Sequence, residues 1–167
     1  MAVVNVKSQT ITDMDAIPVV KVNPTKSNGV VRAAFGTAAF ASSDATSVAR
    51  MARIPARARV TMVHLQSDDL GTGGTVDVGL HRTSADGGAV VDADFFASAV
   101  DTDTAAVART DVTYESGVVT IANRGKRLWE QLSLTADPQY AYDVTITRNA
   151  ATGTGNVNLW LEYVLDE

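Results

Sequence analysis

The stretch TVDVGLHR, residues 75–82, alternates apolar and polar side chains along its whole length. Successive side chains of an extended strand point to opposite faces, so one face of this stretch would be apolar and the other polar. The apolar face would carry Val76, Val78 and Leu80. The polar face would carry Thr75, Asp77 and His81. The pattern predicts a half-buried strand in a sheet with one wet face.

Two later stretches repeat this alternation. YAYDVTITR, residues 140–148, would turn four side chains inward: Tyr140, Tyr142, Val144 and Ile146. NVNLWLEYVL, residues 156–165, would do the same with Val157, Leu159, Leu161 and Tyr163. Further strands are predicted at 30–40, 47–54, 60–66 and 118–122. Closely spaced strands without alternating long helices indicate an all-β fold, and we expect an antiparallel, jelly-roll-like β-sandwich.

Two pairs of consecutive strands are expected to form hairpins. One pair would carry His64 and His81, with both imidazoles on exposed polar faces. The other would be joined by the turn-rich loop NAATGTGN, residues 149–156. Asp68, Asp69 and Asp86 lie in glycine-rich connections, where aspartate is a common turn residue. We therefore expect these three carboxylates to stabilise turns rather than to bind a ligand.

Short helices are predicted at two places where the alternation stops. In DADFFASAVD, Asp92 would be the N-cap of a helix over residues 92–99, with Phe95, Phe96 and Ala99 packing inward. In RGKRLWEQLSL, Leu128 and Leu132 are four residues apart beside Trp129, which favours one or two helical turns over residues 127–132. Both helices would close an open end of the sandwich.

Residues 1–28 differ from the rest and are predicted to form an extended N-terminal arm, with the sandwich domain over residues 29–167. Two prolines, Pro18 and Pro24, discourage central-strand pairing in this segment. Burying its β-branched residues on a neighbouring subunit would contribute ~1.5–3 kcal/mol each. That gain would offset ordering the chain at ~1–2 kcal/mol per residue. The candidate subunit-interface residues are Val3, Val4, Val6, Ile11, Ile17, Val19 and Val20 of the arm, together with Trp160.

Composition narrows the possible classes of protein. The chain has 167 residues, which is enough for a core without metal or disulfide cross-links, and it has no cysteine. Its net charge of −5 and the lack of a basic cluster argue against nucleic acid as a partner. The start MAVVNVKSQT does not resemble a signal peptide, and no apolar run approaches the ~20 residues of a membrane helix. We expect a soluble protein without membrane contact.

Sequence motifs for catalysis or cofactor binding are weak. The only histidines are His64 and His81, and no G-x-S-x-G elbow is present. GTGG, residues 71–74, lacks the lysine of a phosphate-binding loop and leads into a strand. Aspartates are frequent between residues 68 and 103, but none has the spacing of an EF-hand. We therefore expect no catalytic, cofactor-binding or metal-ligating residues, no cofactor and no enzymatic activity.

Three segments resemble a family of structural proteins of tailed bacteriophages, the head decoration or minor capsid proteins. They are ARIPARARVTMVHLQSDDLGTGGTVDVGLHR (52–82), GGAVVDADFFASAVD (87–101) and GKRLWEQLSLTADPQYAYDVTITRNAATGTGNVNLWLEYV (125–164). The resemblance implies a β-sandwich subunit on the virion surface, made in the cytoplasm of a bacterial host, with the major capsid protein as its partner. It also implies a non-enzymatic role.

Two functions from different classes stay open. The first is a structural virion protein that decorates or cements the capsid shell, as a homo-oligomer for which a trimer is favoured. The second is a head-fibre or tail-associated module that binds a glycan on the host surface. Aromatic residues are 6% of the chain, which is few for a sugar-binding groove, so Trp160 is assigned to an interface.

Overall fold

The computed structural model describes residues 7–18, 20–21, 29–43, 45–103, 106–149 and 153–165. Eight strands form the domain: β1 Val31–Ser43, β2 Val48–Pro55, β3 Arg59–Ser67, β4 Thr75–Arg82, β5 Val90–Asp101, β6 Val107–Asp111, β7 Ala141–Arg148 and β8 Gly153–Val164. The helical elements are α1 Gln9–Met14, a 3-10 turn at Ser84–Asp86 and α2 Leu128–Gln131. None of the described helices is long and apolar enough to cross a membrane.

The strands form two antiparallel four-stranded sheets. Sheet A has the order β1-β8-β3-β6 and sheet B has the order β2-β7-β4-β5. Consecutive strands therefore alternate between the sheets except at β4–β5, which is the arrangement of an eight-stranded jelly roll. The predicted antiparallel, jelly-roll-like sandwich is confirmed.

Sheet topology overturns both predicted hairpins. β3 belongs to sheet A and β4 to sheet B, so the strands of His64 and His81 are not paired. β7 and β8 likewise lie in different sheets, and the connection after Arg148 crosses between them instead of closing a hairpin. Sequence neighbours usually pair in antiparallel sheets, but in a jelly roll most connections cross from one sheet to the other.

The core lies between the sheets and is built by the predicted alternation. The inward side chains of β4, β7 and β8 are fully buried: Val76, Val78, Leu80, Tyr142, Val144, Ile146, Val157, Leu159 and Leu161. Tyr140 and Tyr163 are only partly buried at its margin. Along one side the sandwich closes tightly, because a Cβ on Gly36 of β1 would stand 2.0 Å from the carbonyl oxygen of Met51 on β2.

The predicted helix over residues 92–99 is wrong, because this segment is part of strand β5. Val78 is opposite Ala97 whereas Leu80 is opposite Asp92, so three extra residues of β5 form a bulge larger than the usual single-residue type. The bulge carries the carbonyl of Ala93 over β4, where a Cβ on Gly79 would stand 2.1 Å from that oxygen. Neighbouring residues Phe95 and Phe96 are therefore both buried, which strict alternation would not allow.

Two further predictions concern a helix and a strand between β6 and β7, and only the helix is confirmed. The helix predicted over residues 127–132 is confirmed in α2, where the Glu130 carboxylate accepts a hydrogen bond from the Arg127 N–H at 2.7 Å. Leu128 fills the end of the core. The strand predicted over residues 118–122 is wrong. Asn123 instead holds a turn, since its side chain accepts from the Thr120 N–H at 2.6 Å.

Seven of the strand termini meet at one end of the sandwich, which we call the arm end. β1 begins there with Val31 opposite Val164, the last residue of β8. At the same level, β2 and β4 end and β3, β5 and β7 begin. The backbone N–H of Trp129 donates to the Ala56 carbonyl at 3.0 Å and fixes α2 to this end. The loops β3–β4, β5–β6 and β7–β8 lie at the opposite end.

Candidate interaction surfaces

An exposed aromatic pair occupies the outer face of sheet A. Phe35 on β1 is the register partner of Trp160 on β8, and their rings meet edge to face with centroids 5.9 Å apart. Phe35 is 57% exposed and Trp160 is 41% exposed. Adjacent aromatic side chains with this much exposed area are more typical of binding sites than of the rest of a protein surface. The structure thus places the predicted interface residue Trp160 beside a second aromatic residue.

A small pocket adjoins the indole ring of Trp160. Its volume is about 190 Å³, and His64, Gln66, Arg109 and Asn158 also line it. The Arg109 Nε–H donates to His64 Nδ1 at 2.7 Å, which orients both side chains. Among the described residues, the Oδ1 atom of Asn158 has no hydrogen-bond partner, and this atom is buried. The pocket combines a stacking surface with the guanidinium of Arg109, so a partner with polar groups at its edge would fit.

The outer face of sheet B carries a closed ionic cluster. Asp143 on β7 accepts from Arg50 Nη1 at 2.8 Å and from Arg53 Nε at 2.7 Å, and its side chain is 5% exposed. Arg50 also donates to the carbonyls of Arg82 and Gly88, so its guanidinium lies across the sheet. Burial alone would raise the pKa of Asp143, but the hydrogen bonds and charges of the two arginines outweigh burial and lower it.

His81 lies under this cluster and not in solvent, so its predicted exposure is wrong. Its Nδ1 is 2.9 Å from the hydroxyl of Thr145, and the residue is buried. Burial lowers the pKa of His81, and the positive charge of Arg50 lowers it further, while Asp143 acts in the opposite direction. His64, in contrast, lies on the outer face of sheet A as predicted, but it is half-buried rather than fully exposed.

The three turn aspartates accept hydrogen bonds that stabilise their loops, as predicted. Asp68 accepts from both the backbone N–H and the side-chain amide of Asn156, at 2.8 Å each, and these bonds lower its pKa. Asp69 accepts from the Gly71 N–H at 2.8 Å, and Asp86 bonds the Thr83 hydroxyl at 2.5 Å. Within the described part of the chain, no three histidine or carboxylate side chains gather as a metal site would require.

The arm exposes apolar side chains along the part of it that the structure describes. Ser8 caps α1 by accepting from the Ile11 N–H at 3.3 Å, and Lys7 pairs with Asp15 at 2.7 Å. A short helix thus interrupts the extended conformation expected here. Four apolar residues of the arm are exposed: Ile11, Met14, Ile17 and Val20. Ile17 is 98% exposed. Of the other predicted interface residues, Val3, Val4, Val6 and Val19 lie outside the described residues.

A groove opens at the arm end, between the start of β5 and the segment that follows α2. We call it the arm-end groove; its volume is about 340 Å³. Its apolar lining is Val91, Phe95, Val118, Leu132 and Leu134, with Tyr140, Tyr142, Asp92 and Gln131 as polar members. Burial raises the pKa of Asp92, and a hydrogen bond with Asp94 adds to the rise.

Sequence reasoning missed Phe35 and the arm-end groove. Phe35 lies in VRAAFGTAAF, where alanines fill both faces, so alternation does not show which face is outward. The one usable signal was its size, because Phe35 is the only large residue between Arg32 and Phe40. Val91 and Leu134 are 43 residues apart in the chain, and only the fold brings them to one groove.

Comparison with known proteins relates this fold to two solved virus structures. A chain of the cyanophage Pam1 capsid asymmetric unit is 20% identical, with a TM-score of 0.50, over 83% of this chain and 86% of that one. A chain of the capsid of Ralstonia phage GP4 is 18% identical, with a TM-score of 0.53 and the same two coverages. What these capsid chains share with the protein is the fold. No family model and no curated protein matches the sequence.

Proposed function

We propose that this chain is a structural virion protein of a tailed bacteriophage that decorates or cements the capsid shell through protein–protein contacts. The observation that supports this most is the jelly roll, shared over 83% of the chain with chains from two phage capsids. A jelly roll also serves lectins and other proteins, so the surfaces of this chain must carry the rest of the argument.

The aromatic pair is the surface best suited to contact the major capsid protein. Trp160 and Phe35 lie on a sheet face, which is a rigid platform, and energetically dominant residues at interfaces are enriched in aromatic side chains. Arg109 and Glu162 flank the pair and would form a charged rim around the aromatic centre. The arm would add contacts to neighbouring copies, which supports a homo-oligomer, and a trimer would suit a three-fold position on the shell.

A non-enzymatic role agrees with how the polar groups are used. Among the described residues, the most heavily buried carboxylate is that of Asp143, which is neutralised by two arginines, and His81 is bonded to Thr145 beneath them. Groups that are paired in this way stabilise a fold and present no open nucleophile or base to a substrate. We therefore propose no catalytic residue and no cofactor.

Cosedimentation with empty capsid shells of the cognate phage tests the proposal. The intact protein should sediment with the shells in saturable stoichiometry, and Trp160→Ser should weaken this binding. Thr72→Ser, a change at an exposed site in the β3–β4 loop, is the matched control and should bind like the intact chain. A native mass equal to three chains would support the trimer. Absence of saturable shell binding by the intact protein would overturn the decoration role.

The small pocket beside Trp160 favours one alternative function, binding of a host-surface glycan. An exposed indole face can stack on a sugar ring, and the side chains of Arg109 and Gln66 could bond hydroxyl or carboxylate groups. Calorimetric titration with host surface polysaccharide distinguishes the two functions. Binding that Trp160→Ser abolishes, together with no binding to shells, would replace the decoration role by this one.

A further inference from the structure

One residue that lines the arm-end groove has a buried acceptor that no residue in the described part of the chain satisfies. Gln131 is 8% exposed, and its Nε2 donates to the Asn123 carbonyl at 3.2 Å. Its Oε1 is buried and has no hydrogen-bond partner among the described residues. An unsatisfied buried polar atom destabilises a structure, so a donor that bonds this oxygen would recover free energy.

The apolar wall of the same groove is open to solvent. Val91, Val118 and Leu134 are each more than one-third exposed although they adjoin the fully buried Phe95. An apolar hollow beside an unsatisfied acceptor fits an apolar peptide segment, whose side chains would fill the hollow and whose backbone N–H would reach Oε1.

The arm has apolar side chains and hydrogen-bond donors that are complementary to this groove. Its exposed Ile11, Met14 and Ile17 are the apolar side chains, and its backbone supplies N–H donors. Charge agrees as well: residues 1–28 hold three lysines against two aspartates, whereas the remaining residues hold 11 basic and 17 acidic side chains. The groove lining includes the carboxyl of Asp92 and no lysine or arginine.

The position of the arm points to a second copy as its source. The arm enters the sandwich at β1, on the same end that carries the groove. Yet within one chain Ile17 is almost wholly exposed and the groove stays open, so the described part of the arm does not fill it. Copies that meet at their arm ends would bring each arm beside the groove of a neighbour.

We propose that the arm-end groove receives the arm of a second copy of this chain, with apolar arm residues against Val91 and Leu134 and an arm N–H bonded to Gln131 Oε1. This inference deepens the proposed function and rests on its homo-oligomeric assembly. This contact between copies would cover both the exposed apolar residues of the arm and the apolar lining of the groove.

Site-specific cross-linking tests the inference directly, because the chain has no cysteine of its own. Full-length Ile17→Cys and Leu134→Cys chains are mixed, then treated with a short bis-maleimide in the absence of shells. We expect a covalent product of two chains that contains one of each variant. Ile17→Cys mixed with Thr72→Cys is the matched control, since Thr72 is exposed at the opposite end, and it should give little product.

Any other outcome of the cross-linking experiment contradicts the inference. Equal product from the control mixture would mean random collision. No heterologous product, or a product confined within the doubly substituted Ile17→Cys/Leu134→Cys chain, would overturn the second copy as the occupant.

A second variant pair measures the same contact without a cross-linker. Leu134→Asp should weaken self-association at least about 10-fold, because a carboxylate would face the apolar arm. Val48→Asp is the control, since Val48 is similarly exposed but begins β2 at the opposite end, and it should leave association unchanged. Equal loss with both variants would overturn the inference.

Shell binding is scored separately, so the two proposals can fail independently. Shell binding without cross-linking between copies would leave the decoration role standing and remove the groove contact. Cross-linking between copies without shell binding would do the reverse.

Discussion

The two outer faces of the sandwich differ in whether their prominent side chains are paired within the chain or left exposed. On the outer face of sheet B, Arg50 and Arg53 close over Asp143, and the bulge of β5 lies across Gly79. Sheet A instead leaves the rings of Phe35 and Trp160 exposed. The difference teaches that the charged centre of sheet B is paired within the chain, whereas the aromatic pair of sheet A is suited to a partner.

Replacement of the central carboxylate should give the largest effect. In Asp143→Ala, Arg50 and Arg53 lose their shared acceptor, and we expect the free energy of unfolding to fall by about 1–3 kcal/mol. The loss stays below the 3–5 kcal/mol of a fully buried pair because both guanidinium groups keep access to water. Urea unfolding measures it. Shell binding at a temperature where the variant is folded should not change; weaker binding there would contradict the self-contained role of sheet B.

The converse change on sheet A should affect binding more than folding. Phe35→Ser combined with Trp160→Ser should weaken shell binding about 30-fold, the equivalent of a 2 kcal/mol hot spot. Because both rings are largely exposed, Tm should fall much less than in Asp143→Ala. Parallel sedimentation and thermal melting test this. A variant that melts far earlier yet still binds shells would reverse the assignment of the two faces.

The aspartate-rich loops at the opposite end should show a smaller effect and no metal dependence. Asp68→Ala removes two hydrogen bonds with Asn156, so Tm should drop slightly. Millimolar calcium should leave the Tm of the intact protein unchanged, since a ligand that binds only the native state would raise it in a saturable way. A saturable rise lost in Asp68→Ala would show that these turns bind metal.

Mild acid should give the smallest effect, and it should come from sheet B. His81 has a pKa lowered from the ordinary value of 6.5, so the unfolded chain takes up this proton before the folded chain does. Its contribution to stability is complete above pH ~6.5 and declines as the pH falls below that value. Thermal melts between pH 7.5 and 5.5 should show the decline. His81→Gln should reduce it, whereas Thr145→Val, which keeps the imidazole, should retain it.

Strongly acidic conditions should extend this decline. Asp111 accepts hydrogen bonds from the hydroxyl and the backbone N–H of Thr113, and these bonds lower its pKa despite burial. Asp143, Asp68 and Asp111 thus all have pKa values lowered from 3.8, so their contribution to stability is present above that pH and is lost as the pH falls below it. Asp92 acts in the opposite direction, because its pKa is raised. A protein that becomes more stable between pH 5 and pH 3 would show that Asp92 outweighs the other carboxylates.

The sequence predicted side-chain direction well and strand partners poorly. Alternation depends only on local geometry, so the burial of Val78 and Leu159 followed from their spacing. The bulge of β5 depends on room above Gly79, which belongs to another strand, so DADFFASAVD looked helical by itself. The positive charge that helps to lower the pKa of His81 belongs to Arg50, 31 residues away, and no local pattern contains that information.

The candidate interface residues likewise divide into those that local sequence reveals and those that only the fold reveals. Trp160 could be assigned because an outward-facing tryptophan in an alternating strand is visible in the sequence itself. Phe35 became a candidate only through its register with Trp160, and the arm-end groove only through the meeting of β5 with the segment after α2. The assignment of residues 1–28 as an arm that acts on neighbours stays a prediction.

The separation of the two ends makes the fold a convenient display scaffold. The arm precedes β1 and β8 finishes at the arm end, whereas the β3–β4 loop projects from the far end. In that loop, a side chain added at Gly73 would meet nothing within 4 Å. A foreign peptide inserted after Thr72 would therefore point away from the surface through which we propose that copies associate. An epitope could then be presented at the far end with the proposed subunit association left intact.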